Sequence, residues 1–307
     1  MTSAAVLIMV KGVSPELPKV SNMPILTILE PHEKDLGGGF IVKRLLPSAA
    51  RQAVGPFLFF DHFGPVTAHP GDNHDVRPHP HIGLSTVTYL FEGAMMHRDS
   101  LGTVQRIEPG AINWMTAGRG IVHSERTPDD LLNTTHVSHG LQLWCALPEL
   151  LEDSLPAFVH TPASDIPAVD GPGFHARVMV GTMFGVTSPV KPLSPTVYVD
   201  IVAEPGCNLT LDASVDERAI YAVSGRVVID GAAVPPFALA VLTSTAAEIV
   251  APDGAHFVII GGAPVGHRYI TWNFVSSSKA KIEDARAAWR AQLMGQVPGE
   301  SEFIPLP

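Results

Sequence analysis

Glycine and proline set the rhythm of this chain, and a rhythm so short excludes most helical architectures. The 27 glycines and 28 prolines among 307 residues recur every few positions, with short runs of β-branched and aromatic residues between them. Proline fixes φ and removes a backbone donor, so helices of ordinary length do not survive this spacing, whereas short strands joined by turns do. The reading is an all-β sandwich or barrel. One segment escapes the pattern: from Lys279 to Leu293, Ile282, Ala285, Trp289 and Leu293 recur at helical spacing among Glu283, Asp284, Arg286 and Arg290. This predicts one short C-terminal α-helix lying on a sheet.

Two stretches look alike. Tyr89-Leu90-Phe91-Glu92-Gly93 follows a strand-like run from Ile82, and Tyr221-Ala222-Val223-Ser224-Gly225 follows Glu217 to Ile220. In each case another β-rich segment and a turn come next, Asp99 to Gly102 and Asp230-Gly231. The repeat implies two β-barrels in tandem. Between Thr161 and Gly173, Pro162, Pro167, Pro172 and two glycines gather without apolar periodicity. The expected domains are therefore 1–160 and 174–307.

Charge and cysteine content narrow the function classes. The formal net charge is −10 and the pI is near 5.7, with no lysine or arginine run, so direct nucleic-acid binding lacks its electrostatic drive. The two cysteines, Cys145 and Cys207, are too few for a disulfide framework and read as buried free thiols of a reducing compartment. Ala4 to Val10 is apolar but short, has no basic segment before it and is followed by Lys11, which predicts no secretory peptide. Other apolar runs are broken well before the roughly 18 residues a membrane span needs. A cytoplasmic protein with no membrane partner is expected.

The chemistry concentrates before Thr161, where 11 of the 14 histidines lie. Pro78-His79-Pro80-His81 leads into a β-branched run, and residues two apart on a strand share a face. His123-Ser124-Glu125, after Ile121 and Val122, presents an imidazole and a carboxylate in the same way. Two such pairs can converge on one divalent ion, and three imidazoles with one carboxylate suit iron(II), manganese, cobalt, nickel, copper or zinc with positions left open. A dication holding one carboxylate keeps net positive charge and attracts an anionic, chelating oxygen donor such as an enolate or phenolate. A lone strand histidine is more often a surface or satisfied core residue; the paired spacing is what argues otherwise. His69, His74, His136 and His139 are rivals, but the spacing of three between His136 and His139 suits a strand face poorly and no carboxylate stands beside them.

At these residues the sequence resembles the pirin family, two-barrel members of the cupin superfamily. The resemblance runs from Phe57-Leu58-Phe59-Phe60-Asp61-His62-Phe63 through Pro78-His79-Pro80-His81-Ile82-Gly83, Tyr89-Leu90-Phe91-Glu92-Gly93 and His97-Arg98-Asp99-Ser100-Leu101-Gly102. It continues from Trp114-Met115-Thr116-Ala117-Gly118-Arg119-Gly120 through Ile121-Val122-His123-Ser124-Glu125. It implies one metal, usually iron, held by His79, His81, His123 and Glu125. General cupins carry a glutamate soon after the H-x-H pair; here Ser85 and Thr86 stand there, which is itself pirin-like. Counting back from the matched tyrosines puts Leu211 and Ala213 in the places of His79 and His81, so the second barrel is expected to hold no metal. Gly266 to Val275 departs from the better-known pirins.

Some pirins resemble quercetin 2,3-dioxygenases, which implies ring opening of a flavonol by O2, with Glu125 as the catalytic group that releases its metal bond or accepts the hydroxyl proton. Phe57, Phe59, Phe63, Met95 and Trp114 are candidates for an apolar pocket wall, or for ordinary core. His97 and Asp99 share a strand face and could hydrogen-bond a ligand imidazole, and Arg119 could orient an acidic substrate or simply be solvated. The resemblance also implies an alternative, since pirins of animals act as metal-dependent transcription cofactors and bacterial ones regulate metabolic enzymes by contact. On that reading the metal is a redox or structural switch for a protein partner.

Overall fold

The computed structural model describes residues 25–307 except residue 38; the apolar Ala4 to Val10 segment lies outside the described residues. Two antiparallel β-barrels follow one another. In the first, a seven-stranded sheet runs in the order Ala157–Thr161, Ile112–Thr116, Leu84–Glu92, His136–Ala146, Phe57–Ala68, Ile41–Leu46, His32–Asp35. It is accompanied by a four-stranded sheet ordered Val76–His81, Ile121–Arg126, Met95–Asp99, Val104–Ile107. The second barrel repeats the plan. Its four-stranded sheet runs Cys207–Leu211, Ala247–Ala251, Val227–Ile229, Ala232–Val234, and the seven-stranded sheet beside it is centred on Glu217–Gly225 and Ala255–Gly262.

The two large sheets turn one face to each other. Phe57, Phe60, Val87, Tyr89, Leu141 and Leu143 of the first pack with Tyr198, Tyr221, Leu239, Val258 and Ile260 of the second in one apolar cluster. Alternate residues of the same strands point the other way, as period-2 geometry demands. In the second barrel these are Val197, Val199, Ile220, Phe257 and Ile259, and they meet Leu209, Leu211, Val227, Ile229 and Ile249 of the small sheet in a continuous apolar interior. The first barrel has no such continuous filling. Its apolar contacts fall into two groups, one around Leu58, Phe59, Leu84, Met115 and Trp144, the other around Phe40, Val42, Phe63 and Leu90.

Two segments cross the expected division at Thr161 to Gly173. Ile25–Leu29 pairs with Leu239–Leu242 and so forms an edge of the second barrel's large sheet. In return, the C-terminal helix, Lys279–Arg290, packs Ile282, Ala285 and Trp289 against Ile82 and Val122 of the first barrel. The helix is shorter than its sequence pattern predicts. Gln292 takes a positive φ of 56°, the chain turns there, and Leu293 is left outside the helix and exposed. Both cysteines are free and buried, and no helix among the described residues is long and apolar enough to cross a membrane.

Candidate metal centre

The strand Val76–His81 lies antiparallel to Ile121–Arg126, with His79 opposite His123 and His81 opposite Ile121. Because His79 and His81 are two apart, both imidazoles leave the same face as His123. Nitrogen atoms of the three side chains lie within 4.8 Å of one another, and all three residues are buried. Burial pushes the pKa of His79 down to about 4 and those of His81 and His123 well below the usual imidazole value. Neutral imidazoles have lone pairs free to donate, which is the state a metal requires.

Each ring is held from behind by its Nδ1. His79 Nδ1 donates to the Arg77 carbonyl at 2.8 Å, and His81 Nδ1 donates to the Asn273 carbonyl at 3.1 Å. His123 Nδ1 faces His97 Nδ1 at 3.4 Å, while His97 Nε2 donates to Asp99 Oδ2 at 3.0 Å. Burial alone would raise the Asp99 pKa, but bonds from His97 and Thr103 hold it below the ordinary carboxylate value. An ionised Asp99 fixes the proton of His97 on Nε2, so His97 Nδ1 is an acceptor and His123 carries its proton on Nδ1. That leaves His123 Nε2 facing inward, buried and without a hydrogen-bond partner. An orphaned imidazole nitrogen beside two others fits one divalent metal ion.

Glu125 stands one rung further along the same strand, and the pairing register shifts between His123 and Glu125. Its carboxylate is not among the atoms clustered within 4.8 Å; it lines an adjoining cavity of about 30 Å³ with Phe40, His74, Met95, Arg126 and His136. Burial with no compensating partner pushes its pKa up to about 7. A nearby dication would bring it down again.

The pocket residues expected from sequence separate. Phe59 stacks on Trp144 at 3.9 Å, and Trp144 meets the edge of His81 at 5.0 Å. Phe63 and Met95 belong to the group on the Glu125 side. Phe57 and Trp114 do not face this site: both belong to the apolar layer between the barrels, because their sheet is covered on both faces and alternation sends them outward. Arg119 is exposed. Trp144 was not singled out from sequence, and its only signal is its place in an apolar strand. His69, His74 and His136 rim the small cavity, whereas His139 leaves the site altogether and bonds His62 between the barrels.

Among the described residues the second barrel offers no equivalent. Leu209 pairs with Ile249 and Leu211 with Ala247, so by register Leu209 and Leu211 stand where His79 and His81 stand, two residues earlier than counting from the tyrosines suggested. Val227 and Ile229 take the places of His97 and Asp99 on the next strand.

Residues 39–145 match the family description Pirin, and residues 198–295 match Pirin C-terminal cupin domain. A Pirin-like protein of Caulobacter vibrioides is 45% identical over 286 residues, covering 91% of this chain and 98% of the relative. This chain belongs to the pirin family. Human Pirin is 34% identical over 82% of this chain and 87% of its own length. Among solved structures, a quercetin 2,3-dioxygenase from Acinetobacter baumannii superposes on this pirin with a TM-score of 0.86 at 35% identity. That match covers 92% of this chain and 95% of the other.

Proposed function

We propose that this pirin is a metal-dependent dioxygenase that opens the ring of flavonols such as quercetin with O2, the quercetin 2,3-dioxygenase reaction. The observation that carries the proposal is the convergence of three neutral imidazoles, with the buried carboxylate of Glu125 two residues from His123 on the same strand. The likeness to the Acinetobacter baumannii structure supports the substrate class. His79, His81 and His123 would hold the ion and Glu125 would complete the set; iron(II) is the ion we favour, since nitrogen and carboxylate donors with open positions suit oxygen chemistry. Manganese, cobalt, nickel, copper and zinc fit the same donors. When bound, the ion would act as a Lewis acid toward the flavonol's 3-hydroxyl and 4-carbonyl oxygens.

The remaining work falls to side chains. Glu125 accepts the 3-hydroxyl proton on a carboxylate oxygen. Phe63 and Met95 give an apolar wall on that side, and Phe59 with Trp144 buttresses His81. The cavity of about 30 Å³ beside Glu125 accommodates roughly one water. His69, Asp72 and His74 line the same cavity.

The test is aerobic incubation of iron-loaded protein with quercetin, following loss of flavonol absorbance and release of carbon monoxide. Equimolar loss and release is the expected result. Protein that retains iron but leaves quercetin unchanged would refute the dioxygenase reading.

A further inference from the structure

We infer that residues 268–304, the part of the chain that follows the second barrel, position the metal ligands of the first barrel, so that metal binding and docking of this segment are one coupled equilibrium. The inference rests on the metal reading above and adds to it an outer clamp on both ligand-bearing strands.

Four contacts grip the strand that carries His79 and His81 and the residue that follows it. The Asn273 carbonyl accepts the Nδ1 proton of His81 at 3.1 Å. One residue on, Phe274 forms a parallel bridge with Ile82, and the Val275 amide donates to the Ile82 carbonyl at 3.2 Å. Just before His79, the Pro78 carbonyl accepts from the Ile304 amide at 2.8 Å. The approach at Ile82 is close enough to require glycine beside it: a Cβ on Gly83, whose φ is +69°, would lie 2.0 Å from the Val275 carbonyl oxygen.

The strand that carries His123 and Glu125 is gripped independently. Ser124, the residue between them, donates its hydroxyl to Glu300, and Arg126 pairs with the same carboxylate. The two grips are joined, because Trp289 of the helix donates its indole N–H to the Ile304 carbonyl at 3.0 Å and packs with Ile82 and Val122.

Geometry gives the clamp its consequence. A ligating imidazole must present one particular nitrogen in one orientation, and the acceptor on its other nitrogen fixes both. For His79 that acceptor, Arg77, lies on its own strand, and for His123 the acceptors lie on a neighbouring strand of the same sheet. For His81 the acceptor lies 192 residues away, on the C-terminal segment. If the segment lifts, His81 loses its orienting partner and both strands lose their outer bracing. By linkage, an ion that binds only the docked form must in turn hold the segment down.

The experiment is amide hydrogen exchange on the full chain, with and without cobalt(II), alongside the cobalt ligand-field absorption band. The Val275 and Ile304 amides are the reporters, since each bonds across the clamp. At saturating cobalt their exchange is expected to slow by about tenfold or more. A second arm deletes residues 300–307, which removes Glu300 and Ile304 and leaves every proposed ligand in place; about tenfold weaker cobalt binding is expected. A cobalt band with unchanged exchange at Val275 and Ile304 would overturn the clamp alone, as would unchanged affinity in a folded deletion variant. Should that variant fail to fold, exchange in the intact protein decides. Absence of any cobalt band would overturn the metal reading, and the clamp with it.

Discussion

Glu125 is a buried carboxylate with no ion-pair partner among the described residues, and its removal should separate binding from chemistry. Three imidazoles suffice to retain an ion, whereas proton acceptance needs the carboxylate. Glu125→Gln is therefore expected to keep metal while flavonol turnover falls by about 10²-fold or more. Measured metal content and carbon monoxide release decide it, and turnover at the wild-type rate would remove Glu125 from the reaction. Asp99 makes a subtler case. Asparagine there would offer an N–H toward His97 or hold it less firmly, His97 could then carry its proton on Nδ1, and that proton would oppose the one on His123. Asp99→Asn should weaken cobalt(II) or zinc binding by about 10–100-fold without touching a ligand. An unchanged dissociation constant would mean that His97 does not set the tautomer of His123.

At this scale the sequence was informative wherever strand periodicity applied. The H-x-H and H-x-E spacings grouped His79, His81 and His123, which the structure brings within 4.8 Å. It was uninformative where the partner is a backbone atom. No side-chain identity announces that the Asn273 carbonyl faces His81, and nothing in a run of apolar residues distinguishes Trp144, beside the site, from Trp114, which turns away from it.

Among the elements, the C-terminal helix shows how a sheet's outer face can matter as much as its inner one. Val122 lies on the strand that carries His123 and Ile82 directly follows the strand that carries His79 and His81, yet both pack against the helix, where an exposed sheet would carry polar residues. The helix covers them. Trp289 is 2% exposed, so Trp289→Ala should cost about 3–5 kcal/mol of unfolding free energy, checked by chemical denaturation. A loss below about 1 kcal/mol would show that the helix is docked weakly.

The same feature limits what sequence patterns reveal. The large sheet of the first barrel is buried on both faces, by its own interior and by the second barrel, so Phe57, Phe59, Phe60 and Phe63 carry no polar alternation to say which way each turns. A register shift between Trp144 and Cys145 against Phe59 and Phe57 removes the remaining cue. The all-β class, the turns and the helix were legible because glycine, proline and helical spacing act locally. Leu293 was not, because its exclusion depends on a positive φ at Gln292 that the apolar pattern does not encode.

Across the whole molecule, the two barrels are joined by apolar side chains with a polar thread through them. His62 Nδ1 bonds the Tyr221 hydroxyl at 2.6 Å, and its Nε2 meets His139 Nε2 at 2.7 Å. On the other side of Phe91, His256 bonds Asp200 at 2.6 Å and Tyr89 donates to the second Asp200 oxygen. Burial, followed by the nearby His139, Lys43 and His256, pushes the His62 pKa down to about 3; burial brings His139 to about 4. Both values fall below the unfolded one, so the folded state binds fewer protons. Stability is then full above about pH 6.5 and declines as pH falls toward the folded values. A fully shifted histidine removes about 1.4 kcal/mol per pH unit in that window; half-buried His139 contributes less. Comparing denaturation of wild type and His62→Gln between pH 7.5 and 4.5 isolates this contribution from that of the other histidines. Equal pH slopes would dismiss it. His62 was within a quoted motif, but a motif says nothing of a tyrosine in the other barrel, and only the assembled pair of sheets brings the two together.

The exchange of end segments bears on how such a chain can be made. Ile25–Leu29 leaves the ribosome early, while its pairing partner Leu239–Leu242 follows about two hundred residues later. At about 5–20 residues per second, the early strand waits roughly 10–40 s with its apolar side chains uncovered. The first barrel's histidine strands likewise wait for the helix, which follows them by roughly 150–200 residues. Vectorial synthesis therefore cannot finish either barrel before nearly the whole polypeptide has emerged, and a nascent chain stalled midway would carry two unfinished sheets into the crowded cell.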